Sequence, residues 1–337
     1  MIRTTATIDE STKTTNGRRA YLATLTSDLG PLIAALIAIS IVLSFLTPSF
    51  LTASNLTNVI IQTSVIGIAA VGGTFVIITG GIDLSVGSVV ALAGMIAAQV
   101  MTGKPVDAVA GGLIGIAVAL AVGLIVGAVN GASVTWLRLV PFIVTLATLA
   151  SVRGLTLAVS DGVTKYGFPK SFDFLGSGAI AGIRVPVFAM LLMFVLGHIV
   201  LRQTTFGHQV FAVGGNREAA RLAGIPVKKV LFLVYVISGL SAAVAGVVLA
   251  GRLDSALPSA ANGLELQVIA GIVVGGTSLA GGRGSIVGTL VGVLLIGVIN
   301  NGLTLLGVNP FYTQFIQGVV IFAAVLLDAL SQRRRRV

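Results

Sequence analysis

The 337-residue chain has no cysteine and only two histidines, His198 and His208. The first absence excludes disulfides, thiol catalysis and cysteine-ligated metals. The second leaves too few imidazoles for a histidine metal centre. Charge is the larger deficit. Asp, Glu, Lys and Arg make up 9% of the residues, where a soluble domain carries about 25%. So few charges cannot cover a water-facing surface. Catalytic motifs are missing too: there is no G-x-x-x-x-G-K-[S/T] phosphate loop, no H-E-x-x-H, no G-x-S-x-G elbow and no paired carboxylates. Neither an enzyme nor a cofactor is expected.

What the chain has is apolar length. It is 55% hydrophobic, with mean hydropathy +1.05 and 43 glycines. A membrane helix needs about 20 mostly apolar residues. Leu29–Ile82 is uncharged and long enough for two, with a turn at Thr47–Asn55. Leu84–Gly103, Ala108–Leu137, Leu139–Ser160, Val185–Leu201 and Val230–Gly251 hold one each, and Arg153 interrupts the third of these. Leu266–Gly282 is a weaker candidate, broken at Gly275-Gly276, and Gly284–Leu327 holds two around Gly307–Tyr312. The expectation is an all-α polytopic membrane protein with about ten transmembrane helices.

An even number of spans puts both termini on one side, and basic residues mark which side is cytoplasmic. Arg3, Lys13, Arg18, Arg19, Arg138, Arg202, Arg217, Arg221, Lys228, Lys229, Arg283 and Arg333 to Arg336 fall on one face, fifteen in all. Five fall on the other: Lys104, Lys165, Lys170, Arg184 and Arg252. The net charge of +10 therefore reads as orientation and contact with anionic lipid, not nucleic acid. The organisation expected is a poorly ordered cytoplasmic tail (1–28), a transmembrane domain (29–330) with a cytoplasmic loop at about 202–229, and a basic cytoplasmic tail (331–337). The first segment is Thr-rich and carries Asp9, Glu10 and Asp28, unlike a signal peptide.

Within the loop, GGNREAARLAGIPVKK (Gly214–Lys229) gathers charge between two apolar stretches. Gly214-Gly215 breaks the chain, Asn216 suits an N-cap, and Glu218 in the first turn suits the helix dipole. Gly224 and Pro226 terminate it. A helix of about two turns, Arg217 to Ala223, is expected. Ala219, Leu222 and Ala223 share one face, and Arg217 and Arg221 project from another. A helix this short needs a support. It is either a solvated connector or a docking helix whose small apolar face fits a cytoplasmic partner.

AVGGNREAARLAG resembles the cytoplasmic loop of membrane subunits of ABC importers, in particular the ribose-type sugar permeases. Gly80–Ser88 (GGIDLSVGS), Pro141–Gly154 (PFIVTLATLASVRG) and Gly275–Leu303 are similar to the same family, so the resemblance covers roughly residues 50 to 330. It implies a passive permease in the bacterial inner membrane, paired with a second permease chain. Cytoplasmic ATPases would drive it and an extracytoplasmic solute-binding protein would deliver the solute. It also implies that Gly214, Gly215, Asn216, Arg217, Glu218, Ala219, Ala220, Arg221, Leu222 and Gly224 couple to the ATPase. His208 departs from the family, whose members more often carry a basic residue there. Branched-chain amino acid permeases are a related alternative. A gradient-driven transporter is a second, disfavoured because Asp83, Glu265 and Asp328 lie near span ends.

Two ionisable residues stand out. Asp83 either caps the helix Leu84–Met101 or lies near a gate. Arg153, inside a span, either meets solute hydroxyls or is held by a carboxylate or backbone carbonyls. The chain also echoes itself. VGGT occurs at Val71–Thr74 and Val274–Thr277, and Gly80-Gly81 and Gly281-Gly282 follow. VGAVNG (Val126–Gly131) resembles IGVINNG (Ile296–Gly302). Two weakly related halves would put Gly275 and Gly276 at the pathway. Chance in a Gly- and Val-rich chain is the alternative.

Overall fold

The structure is a computed structural model that describes residues 29–102 and 108–334. The predicted tail 1–28, Lys104 and the last three residues of the basic end lie outside the described residues. Among the described residues the apolar stretches are helical: α1 (Leu29–Leu46), α2 (Ala53–Ile78), α3 (Val86–Thr102), α4 (Ala108–Thr135), α5 (Pro141–Ser160), α7 (Val185–Gln203), α10 (Val227–Leu253), α11 (Leu264–Val274), α12 (Ile286–Leu305) and α13 (Pro310–Arg334). Seven of them, α1, α2, α4, α5, α7, α10 and α12, are long and apolar enough to cross a membrane among the described residues. At 17 and 11 residues, α3 and α11 are shorter apolar helices.

The core is built around α2, which α7, α10, α11 and α12 surround. Its inner half, Thr63 to Ile78, is buried without interruption. By contrast α1 turns Ile33, Ile37, Ile41 and Phe45 outward and rests on the bundle through Leu43, against Phe50 and Val298. In lipid an exposed apolar face is the expected surface, since burial among hydrocarbon tails already satisfies it.

Without a hydrophobic force between helices in lipid, close packing has to come from small residues. The α4–α10 contact shows how. Gly123, Gly127 and Gly131 recur every four residues along one face of α4. A Cβ on them would lie 2.3 Å from the Gly239 carbonyl oxygen, 2.6 Å from that of Tyr235 and 2.8 Å from that of Phe232, respectively. As the α4 number rises the α10 number falls, so the two helices run antiparallel. Antiparallel order also holds for α2 and α12. Asn55 and Asn301 exchange amide hydrogen bonds of 3.0 and 2.9 Å at one end, and the hydroxyls of Thr74 and Thr289 meet at 2.9 Å toward the other.

One end of the bundle carries short elements. β1 (Lys165–Tyr166) pairs antiparallel with β4 (Ser255–Ala256), tying the segment after α5 to the segment after α10. Nearby, α6 (Lys170–Ser177) packs on α10 and buries Phe172, and β2 (Ala179–Ile180) and β3 (Ile183–Arg184) form a small hairpin. The opposite end carries α8 (Thr205–Gly215) and α9 (Arg217–Leu222). The internal echo does not fall on matching elements. The first VGGT lies inside α2, while in the second α11 stops at Val274 and Gly275 caps it.

Candidate functional site

The loop between α7 and α10 is more structured than the sequence suggests. Thr204 caps α8 by accepting from the Gly207 amide at 3.2 Å. Phe206, Val210 and Val213 face inward at helical spacing, and Val210 and Val213 are fully buried. That periodicity was the signal for α8. His208 stays local, its Nδ1 2.8 Å from the Thr204 carbonyl oxygen.

Asn216 then ends α8 and starts α9. Its Oδ1 accepts from the amides of Glu218 and Ala219, both at 3.0 Å. At the other end Gly224 takes φ +79°, the Gly224 amide donates to Arg221 and the Ile225 amide donates back to Ala220. That is a left-handed C-terminal cap, where glycine has no side-chain penalty. The helix covers Arg217–Leu222, one residue shorter than expected.

Ala220, buried, fixes the helix to the bundle. The face expected to be apolar, Ala219, Leu222 and Ala223, is exposed, with Leu222 77% open. The two arginines both find partners within the chain. Arg217 Nη2 donates to the Thr79 carbonyl at 3.1 Å, at the end of α2. Arg221 makes a two-pronged contact with Glu218, at 2.5 and 3.1 Å, and holds that carboxyl below the usual carboxylate range. Both members of the pair are exposed, so it orders the surface of α9 and adds little stability.

Three glycine doublets converge beside α9. The Gly282 amide donates to the Ile78 carbonyl at 2.8 Å. A Cβ on Gly214 would lie 1.8 Å from that same oxygen and 2.6 Å from the Gly282 nitrogen. A Cβ on Gly281 would lie 2.9 Å from the Gly214 oxygen and 3.0 Å from the Gly80 nitrogen. Gly80-Gly81, Gly214-Gly215 and Gly281-Gly282 thus join the end of α2, the end of α8 and the α11–α12 turn, and the backbone at Gly214, Gly281 and Gly282 leaves no room for a side chain. The sequence shows each doublet but not their meeting.

Asp83 lies in the break between α2 and α3, buried. The expected cap on Leu84–Met101 is corrected here: α3 starts at Val86, and Asp83 Oδ1 accepts from the Ser85 amide at 3.0 Å, closing a turn ahead of the helix. Two hydroxyls also donate to the carboxylate, Ser85 Oγ at 2.6 Å and Ser238 Oγ of α10 at 2.7 Å. Asn130 of α4 donates to Ser85 Oγ at 2.9 Å and accepts from Thr148 of α5 at 2.6 Å. Asp83 therefore joins α3, α4, α5 and α10 through one polar network. The Tyr235 hydroxyl, close to Gly81, is buried without a hydrogen-bond partner among the described residues.

Arg153 lies five residues beyond Thr148 on α5. Its Nη1 donates to the carbonyls of Pro258 and Ala260, at 3.0 and 2.8 Å, in the loop before α11. Gly275 and Gly276 form the turn after α11: a Cβ on Gly275 would lie 2.5 Å from the Gly288 oxygen of α12, and Gly276 has φ +87°. Gly275 and Gly276 lie in the same α11–α12 turn as Gly281-Gly282, and Arg153 is held by the loop at the other end of α11.

Residues 55–325 match the family model described as the branched-chain amino acid transport system / permease component. The chain belongs to this permease family. The relatives narrow it. The chain is 46% identical over 317 residues to the ribose import permease protein RbsC of Bacillus subtilis strain 168, covering 93% of this chain and 96% of that one. It is 44% identical over 326 residues to RbsC of Escherichia coli K12, covering 96% and 100%. It is 41% identical over 286 residues to the D-allose transport system permease protein AlsC of the same strain, covering 84% and 86%. No solved structure matches it. The permease is thus of the ribose type, a multi-pass membrane subunit of an ABC importer and not an enzyme; such a subunit works with an ATPase and a binding protein.

Proposed function

We propose that this permease carries a sugar or similar small polar solute, and that residues Gly214 to Gly224 receive the stroke of a cytoplasmic ATPase. One observation carries the coupling assignment: a helix capped at both ends is anchored by Ala220 and Arg217 while Ala219, Leu222 and Ala223 stay exposed. A connector has no need of an ordered apolar face. The sugar class rests on the relatives named for ribose and allose. Both termini and α9 are cytoplasmic in this reading, and a second permease chain completes the pathway. A displacement of α9 reaches α2 through Arg217 and Thr79, and the glycine junction passes it to the α11–α12 turn. The Asp83 break, four residues beyond Thr79, is the proposed gate region, with Gly275 and Gly276 on its far side. Arg153, held by the loop before α11, is proposed to order the outer mouth.

The test is reconstitution with and without the ATPase and binding protein. Uptake should require both; uptake by the permease alone on an ion gradient would refute the reading. In the cysteine-free chain, Ala219→Cys and Leu222→Cys should react with a membrane-impermeant thiol reagent from the cytoplasmic side, and the ATPase should protect them.

A further inference from the structure

A cavity of about 510 Å³ opens beside α9, between the end of α4 and the start of α10. Trp136 and Phe232 form its wall, their rings tilted with centroids 5.1 Å apart. Its rim is cationic, made by Arg221, Lys228 and Lys229, and Arg138 follows Trp136 by two residues. The carboxylate of Glu218 is engaged with Arg221, which leaves the two lysines to set the sign of the rim. The start of α10 has no side-chain cap, so the positive end of its dipole adds to the same field. On the α4 side the apolar wall continues outward through Leu137, Leu139 and Val140, which are 68%, 50% and 58% exposed.

We propose that this cavity binds an anionic phospholipid, its phosphate at Lys228 and Lys229 and an acyl chain along Trp136 and the exposed turn after α4. The place fits, because both helices are spans and the cavity lies at their shared end. Tryptophan concentrates at that membrane depth, and clustered basic residues there select anionic headgroups. An acidic segment of a soluble partner would satisfy the lysines, but it would leave Leu137, Leu139 and Val140 uncovered. The proposal does not depend on α9 engaging an ATPase.

Trp136 is the only tryptophan in the chain, so its emission reports this cavity alone. The full chain would be reconstituted in vesicles containing either brominated-acyl phosphatidylglycerol in unlabelled phosphatidylcholine, or the reverse. Brominated phosphatidylglycerol should quench Trp136 at a several-fold lower mole fraction than brominated phosphatidylcholine. Lys228→Gln and Lys229→Gln should each reduce that preference, by about fivefold per charge near the surface. High salt should reduce it in the unmodified protein, which tests the charge without a substitution. Equal quenching by the two lipids would overturn the proposal. So would quenching by neither lipid together with protection of Trp136 from aqueous acrylamide by the ATPase, which would assign the cavity to a soluble partner.

Discussion

At the scale of single residues, Asp83 makes the strongest demand on its surroundings. A buried carboxylate is costly unless donors surround it, and here an amide and two hydroxyls donate to it from α10 and the turn before α3. Removing it strands those donors, each at a cost of about 1–3 kcal/mol. Asp83→Ala is therefore expected to lower the unfolding temperature of the detergent-solubilised permease by several degrees, as read by loss of the monodisperse peak after heating. Asp83→Asn keeps the shape: its oxygen can still accept from the Ser85 amide and hydroxyl, and the Ser238 hydroxyl can rotate to accept from the new amide. It should cost about 1 kcal/mol or less. If Asp83→Asn folds well yet loses uptake, the charge serves transport. If both variants behave like the parent on heating, the network is not structural. The aspartate's presence at a break was legible from GGID, but its role was not. The donors Ser238, Asn130 and Thr148 come from distant segments, and no local pattern ties serines and threonines to a particular acid.

At the scale of helices, glycine position separates two kinds of site. Along α4, Gly127 faces the α10 backbone, and any Cβ there must push the two helices apart. In α5, Gly154 has nothing within 4 Å of where a Cβ would go. Gly127→Ala should destabilise by about 1–3 kcal/mol, as overpacking does, while Gly154→Ala should be neutral or stabilise by up to about 1 kcal/mol through helix propensity. Thermal stability in the same detergent compares them directly, and equal effects would show that the α4–α10 contact is looser than described. The apolar stretches were readable because length and hydropathy decide what enters lipid. Helix ends were less so: α3 begins two residues late because the turn at Asp83 uses the Ser85 amide. Eight-residue α6 was not expected at all, since its support comes from burying Phe172 against α10.

At the scale of the whole molecule, hydropathy stops short of assembly, because a span that is apolar all round does not announce its neighbour. The pairing of α2 with α12 is set by small and polar contacts that cross more than 200 residues of sequence. Asn55 pairs with Asn301 near one end, Gly297 accommodates Thr63 in the middle, and Thr74 meets Thr289 beyond it. A contact fastened along its whole length by polar pairs and small residues resists sliding, because every pair would have to break together. Helices α2 and α12 should therefore move as one body when the permease changes state, with the motion taken up elsewhere. The cysteine-free chain makes this testable. The 2.9 Å hydroxyl separation of Thr74 and Thr289 suits a disulfide between Thr74→Cys and Thr289→Cys after a small rotation. Cross-linking that pair should leave ATP-driven uptake at the rate of the reduced protein. Uptake that stops on oxidation and returns on reduction would place the moving boundary between α2 and α12. The Asp83 network would then ride with one side of that boundary instead of marking the gate.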